Sequence, residues 1–518
     1  MPFHGPALLQ PIAIDTLLAL GLEHNPEAPA LQDLERSLSW AQLERDCEAL
    51  ARAYRQLGLK RGDRLASLIP NRVDLIVHYL AGLRSGLVLT PLNYRYMPPE
   101  MDHALAVSGA AALVYHDERQ ADVAASRVAA QLPLGLIRID DHTGFADLLQ
   151  ATPGTNPCTP EPWPALEATD PCVIYFTSGS TGKPKGVTHS RASFGALLAS
   201  LVQALELKAT EEVLAGSSLA HIASSGLVLA ALSAGALAVV ASTIDSPSLE
   251  LLLRRHRPAV LLILPAVLFG LVRDERLRST DLQSIRLCIS GGDKVPHQLQ
   301  QEFRAAAGFS IDECYGMSEI GFATLAPPNG EIRIGSVGSL CPGFSGSLRD
   351  ESGREVADGE EGRLWIQAPS IMVEYWENPD ATAETIQAGW VDTGDEMRLD
   401  GDGYLWFCGR RKQIILHDSS NICPQDVEEA LEEHPAVDLA GVIGIQDPVH
   451  GENVRAYVTL RPGVAAPPDE ELIAFARARV GYKAPEEIRR LEAMPLNVVG
   501  KTDRLALRQL AAASLHTP

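Results

Sequence analysis

Along roughly the first 400 residues, short aliphatic and β-branched runs alternate with segments of helical period, and nothing else in the sequence constrains the fold as much. Strands joined through helices run parallel, and a parallel sheet needs helices on both faces. One unit reads plainly: a strand at 64–69, a helix at 71–84 and a strand at 87–90. The segment 191–205 carries Phe194, Leu197, Leu198, Leu201, Val202 and Leu205 on one helical face. Pro265 divides the uncharged run 258–272 into a strand and a helix start, because proline has no N–H for a helix interior. The stretch 215–244 has no formal charge and could be taken for a membrane span. Its serines and Gly235 instead predict a core helix followed by a strand at 236–241. The expected class is α/β, a large N-terminal domain of helix-covered sheets.

Near Gly409-Arg410-Arg411-Lys412-Gln413 the pattern changes. A helix from about Pro424, strands at 437–445 and 455–460 and a helix at 470–480 predict a small mobile α+β C-terminal domain. The division expected is 1–409 and 410–518, and the Pro- and Thr-rich stretch 152–164 reads as a surface linker. With 66 acidic against 44 basic residues, the net charge of −22 argues against a nucleic-acid partner. The eight cysteines are scattered without a CxxC pair, as in a reduced, cytoplasmic protein rather than a disulfide or zinc framework. The first twenty residues have no Lys or Arg, so they do not read as a signal peptide, and no transmembrane segment is expected.

The chemistry concentrates at Tyr175-Phe176-Thr177-Ser178-Gly179-Ser180-Thr181-Gly182-Lys183-Pro184-Lys185-Gly186. From Thr177 to Gly186 there are three glycines, four hydroxyls and two lysines. Backbone N–H groups, O–H donors and ammonium charges in one flexible loop make an anion cradle. A P-loop NTPase would need four residues before its Gly-Lys and a helix after it; here two residues separate Gly179 from Gly182, and a strand follows.

This loop resembles the signature of the adenylate-forming superfamily, the acyl- and aryl-CoA synthetases, luciferases and adenylation domains, and most of all an AMP-forming acyl-CoA synthetase. Further motifs agree in order: Ser290-Gly291-Gly292-Asp293-Lys294, Tyr315-Gly316-Met317-Ser318-Glu319, Trp390 to Asp395, Gly409 to Lys412, and Gly500-Lys501-Thr502-Asp503-Arg504. The resemblance implies that ATP and AMP are held by Thr177, Ser178, Gly179, Ser180, Thr181, Gly182 and Lys183, with Gly292, Asp293, Lys294, Tyr315, Gly316, Ser318, Asp395 and Arg410. Tyr315 offers a face for the purine, Asp395 and Arg410 hydrogen-bond the ribose, and Glu319 is a hard oxygen ligand for Mg²⁺. Lys501 is the implied catalytic cation of the adenylation step, and Lys412 the hinge.

By the same resemblance His221 is a catalytic residue, with Lys501 and Glu319, and stands beside the acyl pocket, which is assigned His221, Ser225 and Phe322. Amino-acid-activating relatives carry an Asp just after this position, whereas Ile222-Ala223-Ser224 has no carboxylate to pair a buried ammonium. An apolar fatty or aryl acid is therefore expected. His417, Asp418 and Ser419 form the expected coenzyme A-side loop, with Asp418-Ser419 standing where the family often has two glycines. The implied reaction uses ATP, Mg²⁺ and coenzyme A. Alternatives are an acyl-AMP ligase serving a separate acyl carrier protein, and a non-catalytic nucleotide or acyl sensor. Monomer and homodimer both stay open.

Overall fold

A computed structural model describes residues 2–146, 148, 165–177, 184–243, 245–273, 279–292, 295–327, 330–410, 413, 415–417, 420–447, 451–497 and 500–514. The chain forms two units: Met1–Gly292 with Glu302–Ser347 and Trp365–Asp392, and Asp293–Gln301 with Leu348–Leu364 and Thr393–Pro518. The stretch 152–164, expected as a linker, lies outside the described residues.

Two large sheets build the first unit. The nine-stranded one runs Ser339–Leu340, Gly321–Leu325, Asp312–Met317, Leu287–Gly291, Val260–Ile263, Glu212–Gly216, Leu237–Val240, Pro29–Gln32, Ser37–Ser39. Its pairings are parallel from Asp312–Met317 to Pro29–Gln32, and antiparallel strands flank that core. The seven-stranded one runs Glu374–Tyr375, Lys185–Ser190, Pro171–Thr177, Val88–Pro91, Arg64–Leu68, Ala112–His116, Leu136–Ile139. Strands covered on both faces need apolar residues at successive positions, and Val260–Ile263 is buried throughout.

The expected βαβ unit forms as Arg64–Leu68, helix Val73–Ser85 and Val88–Pro91, the strands parallel and adjacent. The uncharged stretch 215–244 resolves into the end of strand Glu212–Gly216, helix Ile222–Ser233 and strand Leu237–Val240. No described helix is long and apolar enough to cross a membrane. Helix Arg191–Ala204 departs from the single apolar face that its spacing predicts, because Arg191, Ser193 and Ser200 are buried with its apolar residues. Hydrogen bonding makes that tolerable: Ser190 and Ser193 close a capping box, and Ser200 Oγ donates to the Pro342 carbonyl at 2.8 Å.

In the second unit, Val437–Asp447 pairs antiparallel with Gly451–Leu460, which also pairs with Ile415–His417 and, in parallel, with Glu487–Arg490. Helices Pro424–Glu432 and Asp469–Val480 supply Val427, Leu431, Leu472 and Ala476 to a core with Val442 and Val458. Helix Arg504–Ser514 buries Leu507 and Ala511 against Ile443, Tyr457 and Met494. The molecule is thus a mixed α/β protein with a large N-terminal and a smaller C-terminal domain.

Candidate active site

Strand Pro171–Thr177 turns back as Lys185–Ser190, antiparallel, with Thr177 opposite Lys185. Tyr175 and Phe176 are buried and Thr177 is half-buried. Ser178, Gly179, Ser180, Thr181, Gly182 and Lys183, between the strands, lie outside the described residues, as do Asp293, Lys294, Lys412, Asp418 and Ser419. Gly292, at the end of Leu287–Gly291, is described, with φ of +82°. The Lys185 ammonium lies over the ring of Tyr375, 4.0 Å from its centroid.

Strand Asp312–Met317 hairpins into Gly321–Leu325 and presents the second motif. Tyr315 is half-buried, and its N–H donates to Thr324 Oγ1 at 3.2 Å. Gly316 sits in register with the half-buried Phe322, and a Cβ there would stand 2.3 Å from the Gly321 carbonyl oxygen, so only glycine fits. Glu319, in the turn, is 5% exposed. The Tyr375 hydroxyl donates to its Oε1 at 2.7 Å, and the Met372 N–H donates to its carbonyl at 2.7 Å. Burial, with the Glu319 charge adding, pushes the Tyr375 hydroxyl far up, so it stays a donor. His189 is pushed down to about 4 by burial, and its neutral ring donates from Nε2 to the Ser318 carbonyl at 2.8 Å. Both sides of the Ser318–Glu319 turn are therefore braced by buried donors.

The acyl-pocket segment is held just as firmly. Asn71 Nδ2 donates to the carbonyls of Ser217 and Ala241 at 2.8 and 3.2 Å, and its Oδ1 accepts from Leu219 N–H at 2.9 Å. Tyr79 OH donates to the Leu219 carbonyl at 2.9 Å. His221 is half-buried at the N-cap of helix Ile222–Ser233. Ser225 is fully buried: its Oγ donates to the His221 carbonyl at 2.9 Å and meets Tyr175 OH at 2.7 Å. Ser225 thus braces His221 against the strand that leads into the phosphate loop.

In the second unit, Asp395 is fully buried and in register with Arg410 across strands Trp390–Leu399 and Leu405–Arg410. Thr393 Oγ1 accepts from Asp395 N–H at 3.2 Å and donates to the Leu364 carbonyl at 2.7 Å. Lys501 is exposed on a tight loop: Asn497 N–H donates to the Lys501 carbonyl at 2.7 Å, Lys501 N–H to Asn497 Oδ1 at 3.0 Å, and Gly500 takes φ of +85° between them. The His417 ring, 13% exposed, places Nδ1 2.7 Å from the Glu452 carbonyl and Nε2 3.6 Å from Glu486.

The first unit therefore carries Thr177 at the end of its strand, and Tyr315, Glu319 and Phe322 in one hairpin and its turn, while Asp395, Arg410, His417 and Lys501 belong to the second. Glu319 suits Mg²⁺ in chemistry as in placement: a buried carboxylate with one oxygen fixed by an O–H donor is a hard, oriented ligand. Sequence reasoning missed Tyr375, His189 and Asn71. Tyr375 lies on a two-residue strand, too short for any period, and is 56 positions from Glu319.

Residues 20–376 match the family described as AMP-binding enzyme, and residues 426–501 the AMP-binding enzyme C-terminal domain. The chain is 33% identical over 485 residues to a feruloyl-CoA synthase from Amycolatopsis sp., covering 92% of this chain and 94% of that protein. It is 30% identical over 497 residues to a fatty acid–acyl-carrier-protein ligase of Streptomyces coeruleorubidus, covering 94% of each. The structure of a benzoate CoA ligase from Burkholderia xenovorans LB400 superposes with a TM-score of 0.85 at 26% identity, covering 96% of this chain and 100% of that one.

Proposed function

The chain belongs to the family of AMP-binding enzymes, and on that footing we propose that it activates an apolar monocarboxylic acid, aryl or fatty, and passes it to coenzyme A. That it is an ATP-dependent, AMP-forming acid–thiol ligase using ATP, Mg²⁺ and coenzyme A follows from the family and its named relatives. The proposal concerns the acid and the residues.

In the first step a carboxylate oxygen attacks the α-phosphorus of ATP, the bond to the β-phosphate breaks, and acyl-AMP and pyrophosphate result. Lys501 supplies positive charge as negative charge shifts between carboxylate and phosphate. Glu319 holds Mg²⁺, which when bound neutralises phosphate charge. Tyr315 stacks the purine, and Asp395 with Arg410 takes the ribose. A hinge at Lys412 would let the small domain withdraw Lys501 and bring His417, Asp418 and Ser419 to the acyl-AMP. The thiol then attacks the acyl carbonyl and AMP departs.

One observation carries the choice of acid. The segment after His221 offers Ile222, Ala223 and Ser224, none of them charged, and the buried hydroxyls of Ser225 and Tyr175 hydrogen-bond each other, so residues 222–225 supply no charge to pair an ammonium or a second carboxylate. The likeness to a feruloyl-CoA synthase supports an aryl acid. A pyrophosphate-release screen over straight-chain, branched and aryl acids, with and without coenzyme A, tests it. Preference for an amino acid or a dicarboxylate would refute the apolar pocket. Thioester formed only on an acyl carrier protein would move the acceptor to that partner, the activity in the name of the Streptomyces relative.

A further inference from the structure

Resting on the assignment of Glu319 to Mg²⁺, we propose that Tyr375 is a positioning residue that fixes this carboxylate and Lys185 of the phosphate-loop hairpin in one register. Its hydroxyl donates to Glu319 Oε1 at 2.7 Å, and its ring lies under the Lys185 ammonium, 4.0 Å from the centroid. One side chain thus contacts both the carboxylate assigned to Mg²⁺ and a lysine of the proposed anion cradle.

The backbone makes the same connection. Strand Glu374–Tyr375 pairs with Lys185–Ser190, Tyr375 opposite Val187. Trp376 N–H donates to the Gly186 carbonyl at 2.7 Å and Val373 N–H to the Thr188 carbonyl at 2.9 Å, while Met372 N–H reaches the Glu319 carbonyl. Tyr375 N–H itself donates to Thr382 Oγ1 at 2.9 Å. The ring is 4% exposed and packs with Val187 and Met372. Four residues of the segment 372–376 therefore tie the strand Lys185–Ser190 to the Glu319 turn. An O–H donor on one carboxylate oxygen fixes the carboxylate plane and so the direction its other oxygen faces. A cation held over the ring face is centred by the same residue.

Two substitutions separate the parts. Tyr375→Phe keeps the ring under Lys185 and removes the O–H; Tyr375→Leu removes both. In Tyr375→Phe the Mg²⁺ concentration for half-maximal pyrophosphate release should rise about ten-fold, the usual range for losing the partner of a metal ligand, while kcat falls by less. Calorimetric titration of ATP should show the same loss at limiting Mg²⁺ and none in metal-free buffer, in a variant whose lowered melting temperature still leaves it folded at the assay temperature. Tyr375→Leu should also weaken metal-free ATP several-fold, because Lys185 loses its ring. In a Glu319→Gln background, Tyr375→Phe should add nothing to the Mg²⁺ requirement. An unchanged requirement in an active Tyr375→Phe enzyme overturns the proposal, and so does a variant that does not fold, which would make the hydroxyl a stability element. A wild-type enzyme releasing no pyrophosphate with any acid would instead refute the functional assignment.

Discussion

Asp312→Asn should uncouple the stability of the first unit from pH. Asp312 is 3% exposed in strand Asp312–Met317, and its Oδ1 accepts from Ala326 N–H at 3.1 Å. Burial, with the neighbouring Glu313 charge adding, pushes its carboxyl from the ordinary 3.8 up to about 7, against the opposing Ala326 bond. Because the folded value is the higher one, the protonated form is favoured by folding. The stability it contributes is complete below 3.8 and is lost as pH rises through about 7. At about 1.4 kcal/mol per pH unit the whole effect is about 4 kcal/mol, of which more than half disappears between about pH 5 and pH 8. Asparagine keeps the acceptor and the shape of the protonated acid but cannot ionise. Its stability relative to wild type should therefore grow by about 2–3 kcal/mol over that interval, other titrations cancelling in the difference. A two-unit chain need not unfold in one step, so the assay is urea denaturation followed by hydrogen exchange in peptides spanning 287–291 and 312–317. A difference constant within about 0.5 kcal/mol across the range would show that Asp312 is ionised in the fold, contrary to this reasoning.

Ser225→Ala should cost about 1–3 kcal/mol, because the buried Tyr175 hydroxyl loses its bond to Ser225, and Tyr175→Phe in the same background should recover part of that in a thermal melt. Gly316→Ala places a Cβ against the Gly321 carbonyl; spreading the hairpin should cost about 1–3 kcal/mol and raise the KM for ATP more than the KM for acid, and equal changes would detach Tyr315 from the nucleotide. Lys501→Ala should lower acid-dependent pyrophosphate formation about 100-fold or more while largely sparing thiol attack on supplied acyl-AMP; equal loss of both would make it structural.

Local signals made most of the architecture legible. Pro265 starts a helix where the missing N–H costs nothing, and the uncharged 215–244 stretch divides at Gly235 into helix and strand. Strand Glu487–Arg490 was hidden because three of its four residues are charged and only Ile488 is buried. Helix Arg504–Ser514 was hidden in a short C-terminal segment whose Leu505 and Leu510 stay exposed. In the candidate site, motif spacing pointed to Tyr315 and Glu319, but their supports come from elsewhere in the chain. Asn71 reaches residues 146 and 170 positions away, and Tyr375, on a two-residue strand paired with Lys185–Ser190, reaches Glu319 through its hydroxyl. Such contacts follow from sheet order, which no local pattern encodes. The Ser225 hydroxyl meets that of Tyr175, a direction that helix phase alone does not decide.

The most direct test of the proposed chemistry follows one atom. An acid accepted in the screen is labelled with heavy oxygen in its carboxylate, and a single turnover with ATP, Mg²⁺ and coenzyme A is analysed by mass spectrometry. If a carboxylate oxygen attacks the α-phosphorus, that oxygen bridges acyl and phosphate, and it stays with AMP when the thiol breaks the acyl–oxygen bond. AMP should therefore carry one labelled oxygen and pyrophosphate none. Unlabelled AMP, or label in pyrophosphate or free phosphate, would contradict an acyl-adenylate and the roles built on it.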